Sequence, residues 1–236
     1  PSPFLDEATR RAMGEQAVAL AQAVNYHSAG TVEFIVDRDR NFYFLEMNTR
    51  LQVEHPITEW TTGIDLVREM VRIAAGEKLG RTQEQVKRSG ASIECRIYAE
   101  DPTTTSFLPS PGKITTLRQP GGPWVRDDSG FYEGAQVPSH YDPLISKVSV
   151  WAPDRRSAIQ RMQRALREYI VTGIRTNLIF HEKLLAQPDF VSGDYHTGFI
   201  AEHADALFGY TQVPAEEQEI LAAAIAVAAA RKERGA

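Results

Sequence analysis

Polar side chains occupy every second position between residues 46 and 54: Glu46, Asn48, Arg50, Gln52 and Glu54. Successive side chains of an extended strand point to opposite faces, so this spacing predicts a strand with one continuous polar face. Carboxylate and amide oxygens are the ligands that hold Mg²⁺ or Mn²⁺ on nucleotide phosphates. The pattern therefore indicates metal-dependent chemistry on one face of a strand.

A further acid, Glu33, is expected to lie opposite Glu46. Residues 31–36 and 42–47 are β-branched and aromatic runs on either side of a polar connection, which predicts a hairpin. If the hairpin turns through residues 38–41, the two glutamates pair with their Cβ atoms about 5 Å apart. Carboxylates at that distance repel by roughly 3 kcal/mol at an effective dielectric constant near 20, so the pair favours a cation between them.

A solvated edge strand is the alternative explanation of this alternation, because charged residues also alternate where one face of a strand meets water. Two details count against it. An asparagine and a glutamine stand between glutamate and arginine, and the pattern runs from residue 46 to residue 54 without interruption. The spacing alone leaves both explanations open.

The periodicity of the apolar residues predicts an α+β chain. Helical spacing covers residues 6–24, as an amphipathic helix facing a core, and residues 64–75, with Pro56 ending the extended run before them. Residues 76–90 are polar and predict a linker. A second unit is expected to have a strand over 92–98, short strands between turns, and a helix over 155–170. An alanine-rich helix is predicted over 214–234.

The composition argues against several classes of protein. The 26 basic and 31 acidic side chains give a formal net charge of −5, which argues against a general nucleic-acid binder. The longest apolar run, residues 220–230, is shorter than the roughly 20 residues that span a bilayer, and the first residues do not predict a signal peptide. A single cysteine, Cys95, cannot form an internal disulfide, which fits a cytoplasmic protein. The missing initiator methionine indicates a fragment of a longer protein.

The run Glu46-Met-Asn-Thr-Arg-Leu-Gln-Val-Glu-His-Pro56 closely resembles the signature of biotin carboxylases, the ATP-grasp ligases of acetyl-CoA, propionyl-CoA and pyruvate carboxylases. Other blocks resemble the same family in the same order: Glu94-Cys-Arg-Ile-Tyr-Ala-Glu-Asp-Pro102, Phe107-Leu-Pro-Ser-Pro-Gly-Lys-Ile114, Tyr141-Asp-Pro-Leu-Ile-Ser-Lys147 and Gly173-Ile-Arg-Thr-Asn177. The resemblance covers most of residues 1–200. It implies the C-terminal part of an ATP-grasp domain over 1–80, the biotin carboxylase C-terminal domain over 81–205, and a helical tail or linker over 206–236.

The resemblance also implies roles for particular residues. Glu33, Glu46 and Asn48 would be metal ligands, with the two glutamates bridging the metal to ATP. The bicarbonate pocket would comprise Arg50, Gln52, the backbone of Val53, and Glu54, and a guanidinium suits a planar oxyanion because it binds bidentately. Glu54 would be the general base that deprotonates bicarbonate. Arg96 would stabilise the enolate-like oxygen of biotin.

Partners and alternatives follow from the same resemblance. It implies a biotin carboxyl carrier protein or domain, a carboxyltransferase, and a homodimer in which residues 123–126 resemble an interface segment. The upstream half of the ATP site does not occur in this chain, so we expect the chain alone to be inactive. One alternative is a non-catalytic dimerisation or interaction module. Another is an ATP-grasp ligase of the carbamoyl-phosphate type, which shares the Glu-x-Asn metal motif.

Overall fold

The computed structural model describes residues 2–103 and 105–209, together with residues 222, 223, 226 and 227, which are helical. The predicted α+β class is confirmed. The helices are α1 Glu7–Ala23, α2 His55–Thr62, α3 Leu66–Ala74, α4 Arg155–Glu168, α5 Leu178–Leu185, α6 Pro188–Ser192, α7 Phe199–Glu202 and α8 Ala204–Leu207, with a 3₁₀ turn at Gln83–Gln85. The strands are β1 Thr31–Val36, β2 Phe42–Asn48, β3 Ala91–Tyr98, β4 Glu100–Asp101, β5 Leu108–Pro109, β6 Gly112–Lys113, β7 Thr116–Arg118, β8 Val125–Ser129, β9 Gln136–Val137, β10 Leu144–Ala152 and β11 Ile170–Thr172.

Strands β1 and β2 form the predicted antiparallel hairpin, and Glu33 lies opposite Glu46 as expected. The turn is longer than predicted, since Val36 already pairs with Phe42. The Asp37 carboxylate shapes this turn by accepting hydrogen bonds from the backbone N–H groups of residues 39 and 41. A β-bulge at Leu45 then shifts the register by one residue and brings the glutamates together.

The prediction that one strand carries the whole polar face to Glu54 is wrong. Strand β2 ends at Asn48, and the chain turns so that the N–H of His55 donates to the carbonyl of Gln52 at 3.2 Å. Helix α2 starts there, with Pro56 as its second residue. Proline is favourable in the first turn of a helix because its missing N–H would have no helical partner there. Pro56 therefore helps to start a helix rather than only ending a strand.

Helix α1 forms where predicted and is capped by Asp6, whose carboxylate accepts from the N–H of Thr9 at 2.8 Å. The expectation that this helix faces a core is not met, because it has no buried residue. Apolar side chains of α1 and of the hairpin are exposed, among them Val18, Ile35, Tyr43 and Leu45. Within the described ranges, no part of the chain covers these side chains.

A three-stranded antiparallel sheet in the order β3-β10-β8 forms the centre of the second unit. One of its faces is apolar and packs against α4, which buries the predicted residues Ile159, Met162 and Leu166. Tyr169, expected on the same helical face, is buried just beyond the helix end. Cys95 lies in this core, where burial raises the pKa of its thiol to about 12, so its role is packing.

The opposite face of this sheet is polar. Its side chains come from alternate positions of the three strands: Glu94 and Arg96 on β3, Lys147 and Ser149 on β10, and Arg126 and Asp128 on β8. Helix α2 lies across this face, where the Trp60 indole donates to Ser149 Oγ at 2.9 Å and Arg126 pairs with Glu59 at 2.7 Å. This packing brings the loop before α2 to Arg96.

The other strands form short two-stranded pairs, β11 with β7, β4 with β5, and β6 with β9, as the dense turn residues predicted. Helices α5 to α8 enclose a small hydrophobic core of Phe180, Phe199 and Leu207. The predicted helix over residues 214–234 lies outside the described residues, apart from the four named above. Among the residues searched, no helix is long and apolar enough to cross a membrane.

Candidate functional site

The paired acids Glu33 and Glu46 share one amide donor. Asn48 Nδ2 lies 2.8 Å from Glu33 Oε1 and 2.9 Å from Glu46 Oε1. Gln52 Nε2 donates to the same Glu33 oxygen at 3.0 Å. Gln52 therefore lies at the acidic pair, although it is no longer on the strand. The hairpin, the bulge and the loop after β2 together gather these four side chains.

The chemistry of these donors fits a divalent cation. The amide N–H group of Asn48 donates to carboxylate oxygens that a cation would otherwise bind. Rotation of this amide by half a turn would point its oxygen, instead of its nitrogen, at the cation. Across the residues that the structure describes, no group of three or more His, Cys, Asp or Glu side chains could hold a metal. A cation held by Glu33 and Glu46 would therefore need further oxygen ligands from phosphate or water.

The loop over residues 49–54 carries the predicted anion-binding residues. The Arg50 guanidinium is exposed and donates to the carbonyl of Leu51 at 3.3 Å. The carbonyl of Val53 accepts from Lys147 Nζ at 2.8 Å, so a charged hydrogen bond from the central sheet fixes the loop. His55 Nδ1 lies 2.8 Å from the carbonyl of Gln52, which gives this histidine a structural role in the turn.

Glu54 and Arg96 form an ion pair across the boundary between the loop and strand β3. The structure thus brings together two residues that lie far apart in the chain and to which the family resemblance assigns catalytic roles. Arg96 Nη2 donates to Oε2 of Glu54, so the ion pair engages both side chains. Either residue must therefore leave this pair before it can act on another group.

The backbone around Arg96 is hydrogen-bonded by two side chains to which the motifs assign no role. The Asn177 side chain accepts from the N–H of Tyr98 at 2.9 Å and donates to the carbonyl of Arg96 at 3.0 Å. His181 Nε2 lies 2.9 Å from the same carbonyl. Strand β3 is an edge strand, so these side chains satisfy backbone groups that a neighbouring strand would otherwise pair. The Gly173–Asn177 motif pointed to Asn177, but no sequence signal pointed to His181.

Glu94 is a third residue near Arg96 to which the sequence motifs assign no role. It lies on the same face as Arg96, two positions earlier, and its Oε1 is 4.0 Å from Arg96 Nε. Burial raises the pKa of the Glu94 carboxyl to about 7, against the opposing charges of Lys147 and Arg96. The every-second-residue rule that singled out the motif strand would also have identified Glu94.

An open pocket of about 340 Å³ lies between the loop and the central sheet. Its lining includes Gln52 and Val53 from the loop and Asp128, Ser146 and Lys147 from the sheet. The volume is within the range of small-ligand sites. The pocket places the predicted anion-binding loop opposite a lysine.

Comparison with known proteins gives two family matches. The biotin carboxylase C-terminal domain matches residues 94–202, and the ATP-binding domain of the carbamoyl-phosphate synthase L chain matches residues 1–82. The propionyl-CoA carboxylase alpha chain of Ruegeria pomeroyi is 53% identical, with 96% of this chain and 36% of that protein covered. The biotin carboxylase of a Nostoc species is also 53% identical, over 86% of this chain and 45% of that protein.

Solved structures agree with these relatives. The biotin carboxylase domain dimer of Hydrogenobacter thermophilus 2-oxoglutarate carboxylase, in complex with MgADP, ADP and bicarbonate, superposes with a TM-score of 0.86 at 42% identity. That match covers 90% of this chain and 46% of the other. The chain thus spans less than half of the length of each protein compared here.

Proposed function

Because the chain belongs to the biotin carboxylase family, we propose that it supplies one part of an enzyme that carboxylates biotin on a carrier protein with ATP and bicarbonate. The observation that carries the proposal is the Glu54–Arg96 ion pair, together with the Gln52–Glu33 hydrogen bond that joins the loop of Glu54 to the acidic pair. In this arrangement a proton acceptor, an anion-stabilising guanidinium and a cation site occupy one continuous region. The relatives and the solved structures support the same reaction class.

In the proposed reaction, Glu33, Glu46 and Asn48 would hold Mg²⁺ or Mn²⁺, and the two glutamates would bind ATP through that cation. The bound cation would neutralise charge on the phosphates. Arg50, Gln52, Val53 and Glu54 bind bicarbonate. This assignment is supported by their common loop and by the nearby ammonium of Lys147.

Glu54 removes the bicarbonate proton, and the resulting anion attacks the γ-phosphorus of ATP. The bond to ADP breaks, and the carboxyphosphate that forms then releases CO₂ and phosphate. The biotin nitrogen gives its proton to the released phosphate and attacks CO₂, while Arg96 stabilises the negative charge on the ureido oxygen. The Glu54–Arg96 contact supports placing both steps in one site.

The division of the chain is part of this proposal. Residues 1–80 would be the C-terminal part of an ATP-grasp domain, residues 81–205 the biotin carboxylase C-terminal domain, and residues 206–236 a helical tail or linker. The family matches support the first two units. The match over residues 94–202 also favours a biotin carboxylase over a ligase of the carbamoyl-phosphate type.

We propose three partners: a biotin carboxyl carrier, a carboxyltransferase and a second copy of the enzyme. The solved domain dimer named above supports the last of these. In the segment expected at that interface, Trp124 is 52% exposed, whereas Arg126 is bound to Glu59 and Asp128. Trp124 is thus the more available of the two for a contact with a second copy. The alternative to an enzyme is a non-catalytic interaction module. A cytoplasmic location stays a prediction that rests on the single cysteine.

The test is bicarbonate-dependent phosphate release from ATP, measured for the natural full-length polypeptide and for the purified chain. We expect the full-length polypeptide to release phosphate, to release it faster when biotin is added, and to lose this activity in a Glu54→Gln variant. We expect no turnover by the chain alone. Turnover by the chain alone would contradict the expectation of inactivity. A full-length polypeptide that is inactive but dimeric by light scattering would favour the interaction module.

A further inference from the structure

Glu94 is a buried acid without a hydrogen-bond partner. Its side chain is only 5% exposed. In the described part of the chain, neither of its carboxylate oxygens finds a donor. Burial of a carboxylate without hydrogen bonds is unfavourable, and many such groups in native proteins serve a function. The position of Glu94 beside Arg96 indicates what that function is.

The Arg96 guanidinium lies between two carboxylates and is hydrogen-bonded to only one of them. Its Nη2 contacts Glu54, and its Nε lies 4.0 Å from Glu94 Oε1. A hydrogen bond requires about 3 Å, so a shift of roughly 1 Å would join Arg96 to Glu94. Lys147 does not satisfy Glu94, because its ammonium donates to Val53 and lies 3.6 Å from Asp128.

We propose that Glu94 is a positioning residue that receives the Arg96 guanidinium when Glu54 turns to bicarbonate. This inference rests on the function proposed above. Glu54 must leave Arg96 to reach bicarbonate, because the guanidinium holds its Oε2. Glu94 then gives the guanidinium a new partner on the same strand, where the backbone is already fixed by Asn177 and His181. Arg96 stays at the site for the second step instead of turning into solvent.

A Glu94→Gln variant of the full-length polypeptide tests this inference, with Glu94→Asp and the exposed Glu15→Gln as companions. Glutamine keeps the size of the side chain but removes its charge. We expect kcat for biotin carboxylation to fall about tenfold, with the KM for ATP unchanged. Glu94→Asp should recover part of the loss, and Glu15→Gln should match the wild type.

Thermal unfolding separates this role from a structural one. Because Glu94 is an unpartnered buried acid, we expect Glu94→Gln to melt no lower than the wild type while its kcat falls. A wild-type kcat in Glu94→Gln would overturn the inference. The inference would also be overturned if Glu94→Gln lost activity together with a lower melting temperature and Glu94→Asp did not recover that activity. An inactive wild-type polypeptide would overturn the proposed function and this inference with it.

Discussion

The ammonium of Lys147 donates a 2.8 Å hydrogen bond to the carbonyl of Val53 and so ties the central sheet to the anion-binding loop. Hydrogen bonds to charged groups contribute about 1.5–3 kcal/mol. Replacing Lys147 with methionine should free the loop and raise the KM for bicarbonate about tenfold or more. Bicarbonate titration of phosphate release in the full-length polypeptide measures this. The exposed Lys113→Met serves as the control, and an unchanged KM in Lys147→Met would contradict the expectation.

The acidic pair leads to a prediction about metal dependence. Glu46→Gln removes one carboxylate from the cation site and keeps the hairpin intact, because Glu46 is exposed. The concentration of Mn²⁺ needed for half-maximal activity should rise at least tenfold, since the cation loses a charged ligand. Activity measured against Mn²⁺ at fixed ATP gives this value, with Glu15→Gln as the reference. Equal Mn²⁺ requirements in the two variants would show that Glu46 does not bind the cation.

The Asn177 amide makes two side-chain hydrogen bonds to the edge of β3 from a buried position. Asn177→Ala should reduce the free energy of unfolding by about 2–4 kcal/mol, because two buried backbone groups lose their partner. Urea denaturation of the purified chain measures this loss. The neighbouring Thr176→Ala should change stability much less. A loss below about 0.5 kcal/mol in Asn177→Ala would show that water replaces the amide.

His181 predicts a dependence of stability on pH. Burial lowers the pKa of this imidazole in the folded chain below its usual 6.5. As pH falls below 6.5, the unfolded state therefore binds a proton that the folded state does not, and stability decreases by at most about 1.4 kcal/mol per pH unit. His181→Gln should lack this contribution.

The raised pKa of Glu94 acts in the opposite direction, since its folded state binds the extra proton between pH 4.5 and about 7. The pH dependence of the wild type alone contains both effects. The contribution of His181 is therefore the difference between the pH dependence of the wild type and that of His181→Gln. Unfolding free energies at pH 7.5 and 5.5 give the difference. Parallel pH profiles for the two proteins would contradict the assignment to His181.

The sequence predicted the hairpin because β propensity is a local property, whereas the predicted pairing of Glu33 with Glu46 is correct only because the bulge compensates for the longer turn. It also predicted the buried face of α4 from helical spacing. The bulge at Leu45 was not predictable, since nothing in the run of apolar side chains distinguishes a bulged residue from a paired one. The error at Pro56 arose because proline is compatible both with the end of a strand and with the first turn of a helix.

Contacts between distant segments account for what the sequence could not predict about the site. The Glu54–Arg96 ion pair depends on how α2 packs on the polar sheet face, and the spacing of the motif contains no information on that packing. The support of Arg96 by His181 depends likewise on the position of α5 beside β3. Residue types thus indicated the chemistry, whereas tertiary packing selected the partners of each residue.

The bulge at Leu45 also determines where the hairpin can change in length. Val36 to Phe34 pair regularly with Phe42 to Phe44, and Leu45 is the extra residue before Glu46. Deletion of Leu45 would therefore leave Glu33 opposite Glu46. Deletion of Met47 would instead move Asn48 to the other face of the strand, away from both acids. A deletion is thus tolerable at one position of β2, whereas two residues later it removes the amide that joins the two acids.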